Sequence, residues 1–326
     1  IHVPVQGGKL ANASFLLDLV ATEYSLAKRD VDESLALWME SPLLEVQLKP
    51  HHCAYDVSAA WQDLLRKFTS FPEEQLIDDE PILVVRRKVQ LKVQRELEVI
   101  GTCLAIRQIL FNDAHEKFLA GRYVLDCNEA VKLAGLAMPV VYETYDAKKH
   151  TVEFIRQEVA AFVPAYVECL MRGTLLLGRA WTGPNNMEES FLKAWRDASM
   201  MNADKIREGF LATLHKEPSY GAAFFPGKIE RPKKKWSLSK NSTDCQVLIA
   251  ISHAFVVVTD EEKCDRLLVQ RIEDCSWSRI DIDESQMAAG VEPSLLLHFP
   301  CDESSGRRRE NGAAASGAVP RTNMLQ

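Results

Sequence analysis

The hydrophobic period of this chain changes twice, dividing it into three stretches that cannot share one layer architecture. Residues 1–90 mix strand and helix patterns. A strand-like run at Ile1–Val5 precedes an amphipathic helix over Ala13–Lys28, with Phe15, Leu16, Leu19, Val20 and Tyr24 on its expected inner face. Leu35–Glu40 and Leu43–Lys49 read as strands joined by a Ser41-Pro42 turn. The second alternates Leu44, Val46 and Leu48 with Glu45, Gln47 and Lys49, as a half-buried strand requires. Ser58 is placed to cap a helix through Phe68, an acidic loop follows, and Ile82–Val85 reads as a strand buried on both faces. The order ββαββαβ, lacking its first strand, is α+β.

From 101 to 217 the period is helical throughout. Leu104, Leu110, Phe111, Ala114 and Phe118 line one face, and Ala130–Tyr142 is apolar nearly all round, which marks the central helix of a bundle. Pro139 cannot donate to the Gly135 carbonyl, so a kink is expected there. Met187–Leu214 carries Met187, Phe191, Trp195, Ile206, Phe210 and Leu214 on one long stripe, with Asn186 as its expected cap. After Pro218 strand patterns return at Phe224–Glu230, Gln246–Ser252, Ala254–Asp260, Arg266–Glu273, Ser276–Ile282 and Ser294–Phe299, as in a sandwich or barrel. Ser304–Gly317 has no bulky apolar residue and is expected to be a loop. Three domains follow: 1–90, 91–218 and 219–326.

Composition narrows the function. With 39 Lys and Arg against 46 Asp and Glu, the net charge of −7 excludes a general nucleic-acid binder, so any basic role must be local. The 8 cysteines include no C-x-x-C pair, which points to reduced thiols, and no run approaches the roughly 18–20 apolar residues of a membrane span. A cytoplasmic location is expected. His51-His52-Cys53 resembles a ligand cluster only in composition, because adjacent residues on an extended chain face opposite ways. Asp281–Glu292 lacks the glycine a calcium loop needs at its sixth place, where Gln286 stands. No phosphate-binding glycine loop, nucleophile elbow or HExxH occurs, so neither catalysis nor a cofactor or metal is expected.

An α+β lobe, a helical lobe and a β lobe in that order resemble the FERM family. Glu217-Pro218-Ser219-Tyr220-Gly221-Ala222-Ala223-Phe224-Phe225 is similar to that family's junction between helical and β lobes, and Phe118-Leu119-Ala120-Gly121-Arg122-Tyr123 to the end of its first long helix. Ala36-Leu37-Trp38 followed by Ser41–Pro50, with Asp79-Glu80-Pro81 and Arg95-Glu96-Leu97, points to the iRhom-tail-associated branch. Tyr145–His150 also resembles the Krev-interaction-trapped adaptor. The resemblance covers essentially the whole chain. It implies an α+β multidomain cloverleaf of a ubiquitin-like lobe, an acyl-CoA-binding-protein-like bundle and a pleckstrin-homology/PTB-like β sandwich.

It also implies a non-enzymatic scaffold that binds the cytoplasmic tail of a membrane protein at the inner face of the plasma membrane. An iRhom-type rhomboid pseudoprotease with its sheddase is the first partner implied; a Rap-type small GTPase, linking membrane and cytoskeleton at cell junctions, is the alternative. Lys228, Lys233, Lys234, Lys235 and Trp236 are the candidates for contact with phosphoinositide, although such a run is often only a solvated loop. Ser276, Trp277 and Ser278 are the peptide-groove candidates, and Arg86, Arg87 and Lys88 the GTPase-contact candidates. At His253-Ala254-Phe255 the family usually has a glycine, which puts the conformation of that hairpin in question. The chain is expected to be cut short at both ends, without the first strand of the first lobe and the closing helix of the third.

Overall fold

The computed structural model describes residues 8–69, 71–176, 187–229, 245–280 and 294–298. Backbone packing divides the chain into two compact units, Ile1–Phe224 and Phe225–Gln326. The first holds a three-stranded sheet and a set of helices; the described residues of the second are mostly strands.

Helix α1 (Ala13–Glu23) is capped by Asn12, whose Oδ1 accepts from the Phe15 N–H at 2.9 Å. It does not run to Lys28: Ser25 takes φ +52° just after the Tyr24 cap, and a separate α2 (Lys28–Ser34) follows. Its buried row is Ala13, Leu17 and Ala21, while Phe15 and Tyr24 are exposed. The two alanines, eight residues apart with Leu17 midway between them, present a small surface to the sheet, and packing follows that row instead of the larger side chains. Strand β1 (Leu35–Glu40) is buried along its whole length because it is central, between β2 (Glu45–Gln47) and β3 (Ile82–Arg87), both antiparallel to it. Between them, α3 (Ala54–Ala59) and α4 (Trp61–Phe68) meet at Ala60, so Ser58 lies inside α3 and caps nothing. Trp61 anchors α4 by donating Nε1–H to Asp79 Oδ2 at 2.9 Å; the short α5 (Glu73–Leu76) follows. In β3 the apolar start, Ile82 and Leu83, is exposed and the buried end is Arg86-Arg87, the reverse of the pattern expected from hydrophobicity.

The chain then runs through α6 (Val93–Thr102), α7 (Leu104–Leu119), α8 (Cys127–Val141), α9 (Val152–Glu158), α10 (Ala165–Leu176), α11 (Met187–Ala198) and α12 (Ala203–Leu214). The α7 stripe starts at Ile106; Leu104, in the first turn, is 58% exposed. Gly121, at φ +70°, ends the α7 segment as a glycine must, with the Arg122 N–H bonded to the Lys117 carbonyl. Helix α8 is central and packs on α11 and α12. Gly135 makes this approach possible, since a Cβ there would stand 2.5 Å from the Phe191 carbonyl oxygen. The helix continues past Pro139 to Val141, so the missing donor falls near its end. The stripe from Phe191 to Leu214 is fully buried as expected, but on two helices: Asn202 starts α12 by accepting from the Lys205 N–H at 2.8 Å. Asn186 lies outside the described residues.

β4 (Ala223–Ile229), whose first two residues precede the second unit, forms a sheet in sequence order with β5 (Cys245–Ile251), β6 (Phe255–Asp260) and β7 (Asp265–Arg271), and β8 (Ser276–Ile280) pairs with β9 (Ser294–His298). Cys245, Val247 and Val258 form a core with Ile229, Ile249 and Leu268 packed on it. The β5–β6 hairpin closes without glycine or positive φ. Ser252 Oγ accepts from the Ala254 and Phe255 N–H groups, a side-chain substitute for the glycine turn. The Ile1–Val5 run, Ser304–Gly317 and the C-terminal segment lie outside the described residues.

Candidate interaction surfaces

Arg86 and Arg87 sit side by side on β3 and point to opposite faces, yet both guanidiniums are held inside the first unit. Arg86 chelates Glu40 through Nε (2.5 Å) and Nη2 (2.7 Å), and reaches Asp113 of α7 at 2.9 Å and Glu116 at 2.8 Å. Burial works against its charge, but hydrogen bonds to Glu40, Glu116 and Asp113 outweigh it and raise its pKa. Arg87, only 3% exposed, donates Nε–H to Glu96 Oε2 at 2.7 Å and its two Nη groups to the carbonyls of Lys88 and Leu91. Two of the three expected GTPase contacts are therefore consumed internally. Lys88 is half-buried with Nζ on the Asp32 carbonyl at 2.8 Å.

Glu96 is the meeting point of three segments far apart in sequence. Its Oε1 accepts from the Tyr220 hydroxyl at 2.5 Å and from His215 Nε2 at 3.0 Å, while Oε2 takes Arg87. Burial alone would push this carboxyl up. The His215 bond, the charges of Arg87 and His215, and the Tyr220 bond together hold it below 4.5. Burial and the Glu96 charge push the Tyr220 phenol well up, so it remains a donor. Gly221 has φ +68°, and a Cβ there would fall 2.2 Å from Arg87 Nη1, so the family-like Tyr220-Gly221 pair is a geometric requirement of this node. Sequence reading did not identify the node; the Tyr220-Gly221 dipeptide was its only local sign.

The other candidates lie in the second unit. Lys228 is exposed on β4, whereas Lys233, Lys234, Lys235 and Trp236 are outside the described residues. Ser276, Trp277 and Ser278 lie together on β8, all exposed, opposite His298, Leu297 and Leu296 of β9. Trp277 is 70% exposed, an unusual position for so large an apolar ring. Among the described residues β8 pairs on one side only.

A cavity of about 210 Å³ between α1 and the β1–β2 pair, lined by residues including Leu17, Leu35, Leu37 and Leu48, is smaller than the roughly 300 Å³ at which small-molecule sites begin. Among the described residues no group of His, Cys, Asp and Glu side chains could hold a metal ion. Cys53 Sγ donates to the Lys9 carbonyl, and His51 meets His52 edge to face. No helix among the described residues is long and apolar enough to cross a membrane.

Residues 102–225 match the FERM central domain. FERM domain-containing protein 8 from human is 33% identical over 279 residues, 82% of this chain and 57% of the relative; the mouse protein is 30% identical over 83% and 58%. The chain thus spans less than two thirds of the curated relatives it matches. Among solved structures, the human Myosin 7b C-terminal MyTH4-FERM domain, solved with the harmonin-a PDZ3 domain, aligns at TM-score 0.56 and 19% identity over 82% of this chain and 49% of that one. The complex of the FERM and C-terminal domains of Drosophila Merlin aligns at TM-score 0.50 and 14% identity over 94% and 87%. These likenesses show an α+β FERM fold, and with the central-domain match and the relatives they establish that the chain belongs to the FERM domain family.

Proposed function

We propose that this chain is a non-enzymatic scaffold that binds the cytoplasmic tail of a membrane protein at the inner face of the plasma membrane. Its first partner is an iRhom-type rhomboid pseudoprotease, which it stabilises with its sheddase at the cell surface. What supports this reading is Trp277, an exposed tryptophan on a strand that can accept an extended peptide by strand addition. The 33% identity to human FERM domain-containing protein 8 supports the choice of tail. Structural relatives bind protein partners, harmonin-a PDZ3 in one case and a Merlin C-terminal domain in the other. The Rap-type GTPase reading is weakened because Arg86 and Arg87 are buried in internal ion pairs.

One experiment tests both arms: the chain is sedimented with vesicles that carry a tethered iRhom tail peptide, phosphoinositide, or both. Trp277→Ala should remove the peptide-dependent part by about tenfold, the loss typical of an aromatic anchor. Replacing Lys233, Lys234 and Lys235 by Ala should remove the lipid-dependent part, since each lysine near an anionic surface is worth about 1 kcal/mol. Peptide binding unchanged by Trp277→Ala would sink the groove assignment; lipid binding unchanged by the triple variant would sink the membrane contact.

A further inference from the structure

We infer that Tyr142, Phe154 and Phe162, with Glu143 on their rim, form a docking site in the first unit for an arginine side chain of a partner protein. Tyr142 is the residue that ends α8, Phe154 lies on α9, and Phe162 lies in the link between α9 and α10. Their ring centroids stand 5.4 Å (Tyr142 to Phe162), 6.2 Å (Tyr142 to Phe154) and 6.3 Å (Phe154 to Phe162) apart, so each ring neighbours the other two. One side of this triangle is closed. Trp195, fully buried, lies 6.0 Å from Tyr142 and 6.2 Å from Phe154, His150 stacks on it at 4.0 Å, and buried Phe191 lies 6.3 Å from Phe162. The other side meets solvent, since Tyr142 is 51% exposed and Phe154 and Phe162 are half-buried.

This geometry suits a cation. A point about 4 Å above the centre of a triangle of these dimensions lies about 5 Å from all three centroids, inside the roughly 6 Å reach of a cation over an aromatic ring. The rim adds negative charge. Glu143, next to Tyr142, accepts from His150 Nε2 at 2.8 Å and keeps 45% of its side chain exposed. Because the Asp146 N–H donates to His150 Nδ1 at 2.8 Å, that nitrogen carries no proton and the imidazole beside Glu143 is neutral, so the carboxylate meets a hydrogen bond there and not a counter-ion. Glu153, beside Phe154, shares Arg156 with Glu188, at 4.0 and 3.1 Å. From Tyr142 to Glu158 the chain carries Glu143, Asp146, Glu153 and Glu158 against Lys148, Lys149 and Arg156; with Glu188 added the balance is negative, which favours a cationic partner over an anionic one. Arginine fits better than lysine, because its planar guanidinium lies flat on a ring while its fork of N–H groups reaches a carboxylate. The site is also formed in advance: the Trp195 Nε1–H donates to the Glu143 carbonyl at 2.8 Å and the Tyr142 N–H to the Met138 carbonyl at 2.9 Å, so binding has little backbone to order.

An NMR titration of the isotope-labelled 326-residue chain with a blocked pentapeptide, one central arginine among alanines, tests this. The backbone amide signals of Tyr142, Phe154 and Phe162 should shift together along one saturating curve, with Kd in the millimolar range expected of one exposed cation–ring contact site. The same peptide with citrulline, which keeps the shape and loses the charge, should bind about tenfold more weakly. Tyr142→Leu should weaken arginine binding about fivefold, and Glu143→Gln, which keeps an acceptor for His150, about threefold. If Tyr142→Leu fails to fold, Glu143→Gln and the comparison of the two peptides on the parent chain decide. Equal binding of the two peptides, no shift at these three residues, or arginine binding indifferent to the substitutions overturns the inference.

Discussion

Replacing Glu96 by Gln should be among the most damaging conservative changes in the first unit. The side chain is fully buried and accepts from three donors, Arg87, His215 and Tyr220. Glutamine keeps the shape but turns one acceptor into an amide NH₂ facing a donor, and it leaves the Arg87 guanidinium at 3% exposure without its counter-charge. Removing one partner of a buried pair costs about 3–5 kcal/mol. Against a typical total of about 5–15 kcal/mol, that is a large share of the unit's stability. Urea unfolding followed by circular dichroism should show the midpoint falling by about 1–2 M at a slope of about 3 kcal/mol/M. The double change Arg87→Met with Glu96→Met should cost less than Glu96→Gln alone, because the Arg87 guanidinium is then not left buried without its carboxylate. The carboxyl also carries a pH signature. Its folded value lies below the unfolded value of 4.5, so it adds stability above pH 4.5 that disappears as pH falls through the folded value. A loss under about 1 kcal/mol for Glu96→Gln, or a double variant as damaged as the sum of its singles, would refute this account of the node.

Two further outcomes are expected. Gly135→Ala gains about 1 kcal/mol of helix propensity but forces α8 off α11, since its Cβ would meet the Phe191 carbonyl at 2.5 Å and Ala194 Cβ at 2.8 Å; thermal unfolding should show a net loss of about 1–3 kcal/mol, and an unchanged midpoint would refute the contact. His115, packed against Phe111 and Phe210, is lowered by burial from 6.5 to about 4, with only a small opposing pull from Glu116. The unfolded chain therefore binds its proton first, and stability falls by up to about 3 kcal/mol as pH drops from 6.5 to 4. His115→Leu should flatten that part of the stability profile, and a profile identical to the parent's would refute the assignment.

The strands of the second unit were legible within about two residues at each end because each is a short apolar run between turn residues, and neighbours in sequence are neighbours in the sheet. What failed did so for identifiable local reasons. Periodicity found an apolar stripe from Phe191 to Leu214 but could not see that four residues around Asn202 restart the helix, since the stripe keeps its face across the break. It chose Phe15 and Tyr24 for the inner face of α1, where size lost to close approach by Ala13 and Ala21. The hairpin at His253 departed from the family glycine, and the Ser252 hydroxyl two residues away supplied the compensation.

The basic pair on β3 shows where a single sequence stops being informative about a site. Arg86-Arg87-Lys88 after an apolar strand reads as a positive surface, and within a window of ten residues nothing contradicts it. Whether such arginines face solvent depends on carboxylates elsewhere: Glu40 lies 46 residues before Arg86, Asp113 lies 27 after it, and only Glu96 is near, nine residues beyond Arg87. Glu96 in turn sits in Arg95-Glu96-Leu97, a setting typical of a solvated helix face, and its neighbour Arg95 does pair with Asp30, Glu33 and Glu98 on the surface. Two adjacent charges thus have opposite fates because α6 turns one inward and one outward. The burial of Glu96 is affordable only because Tyr220 and His215, 124 and 119 residues away, arrive with donors, and Tyr220 can arrive only because Gly221 leaves room for Arg87. A glycine beside a tyrosine, at the point where helix gives way to strand, is therefore the one place in the sequence where this long-range arrangement leaves a local trace.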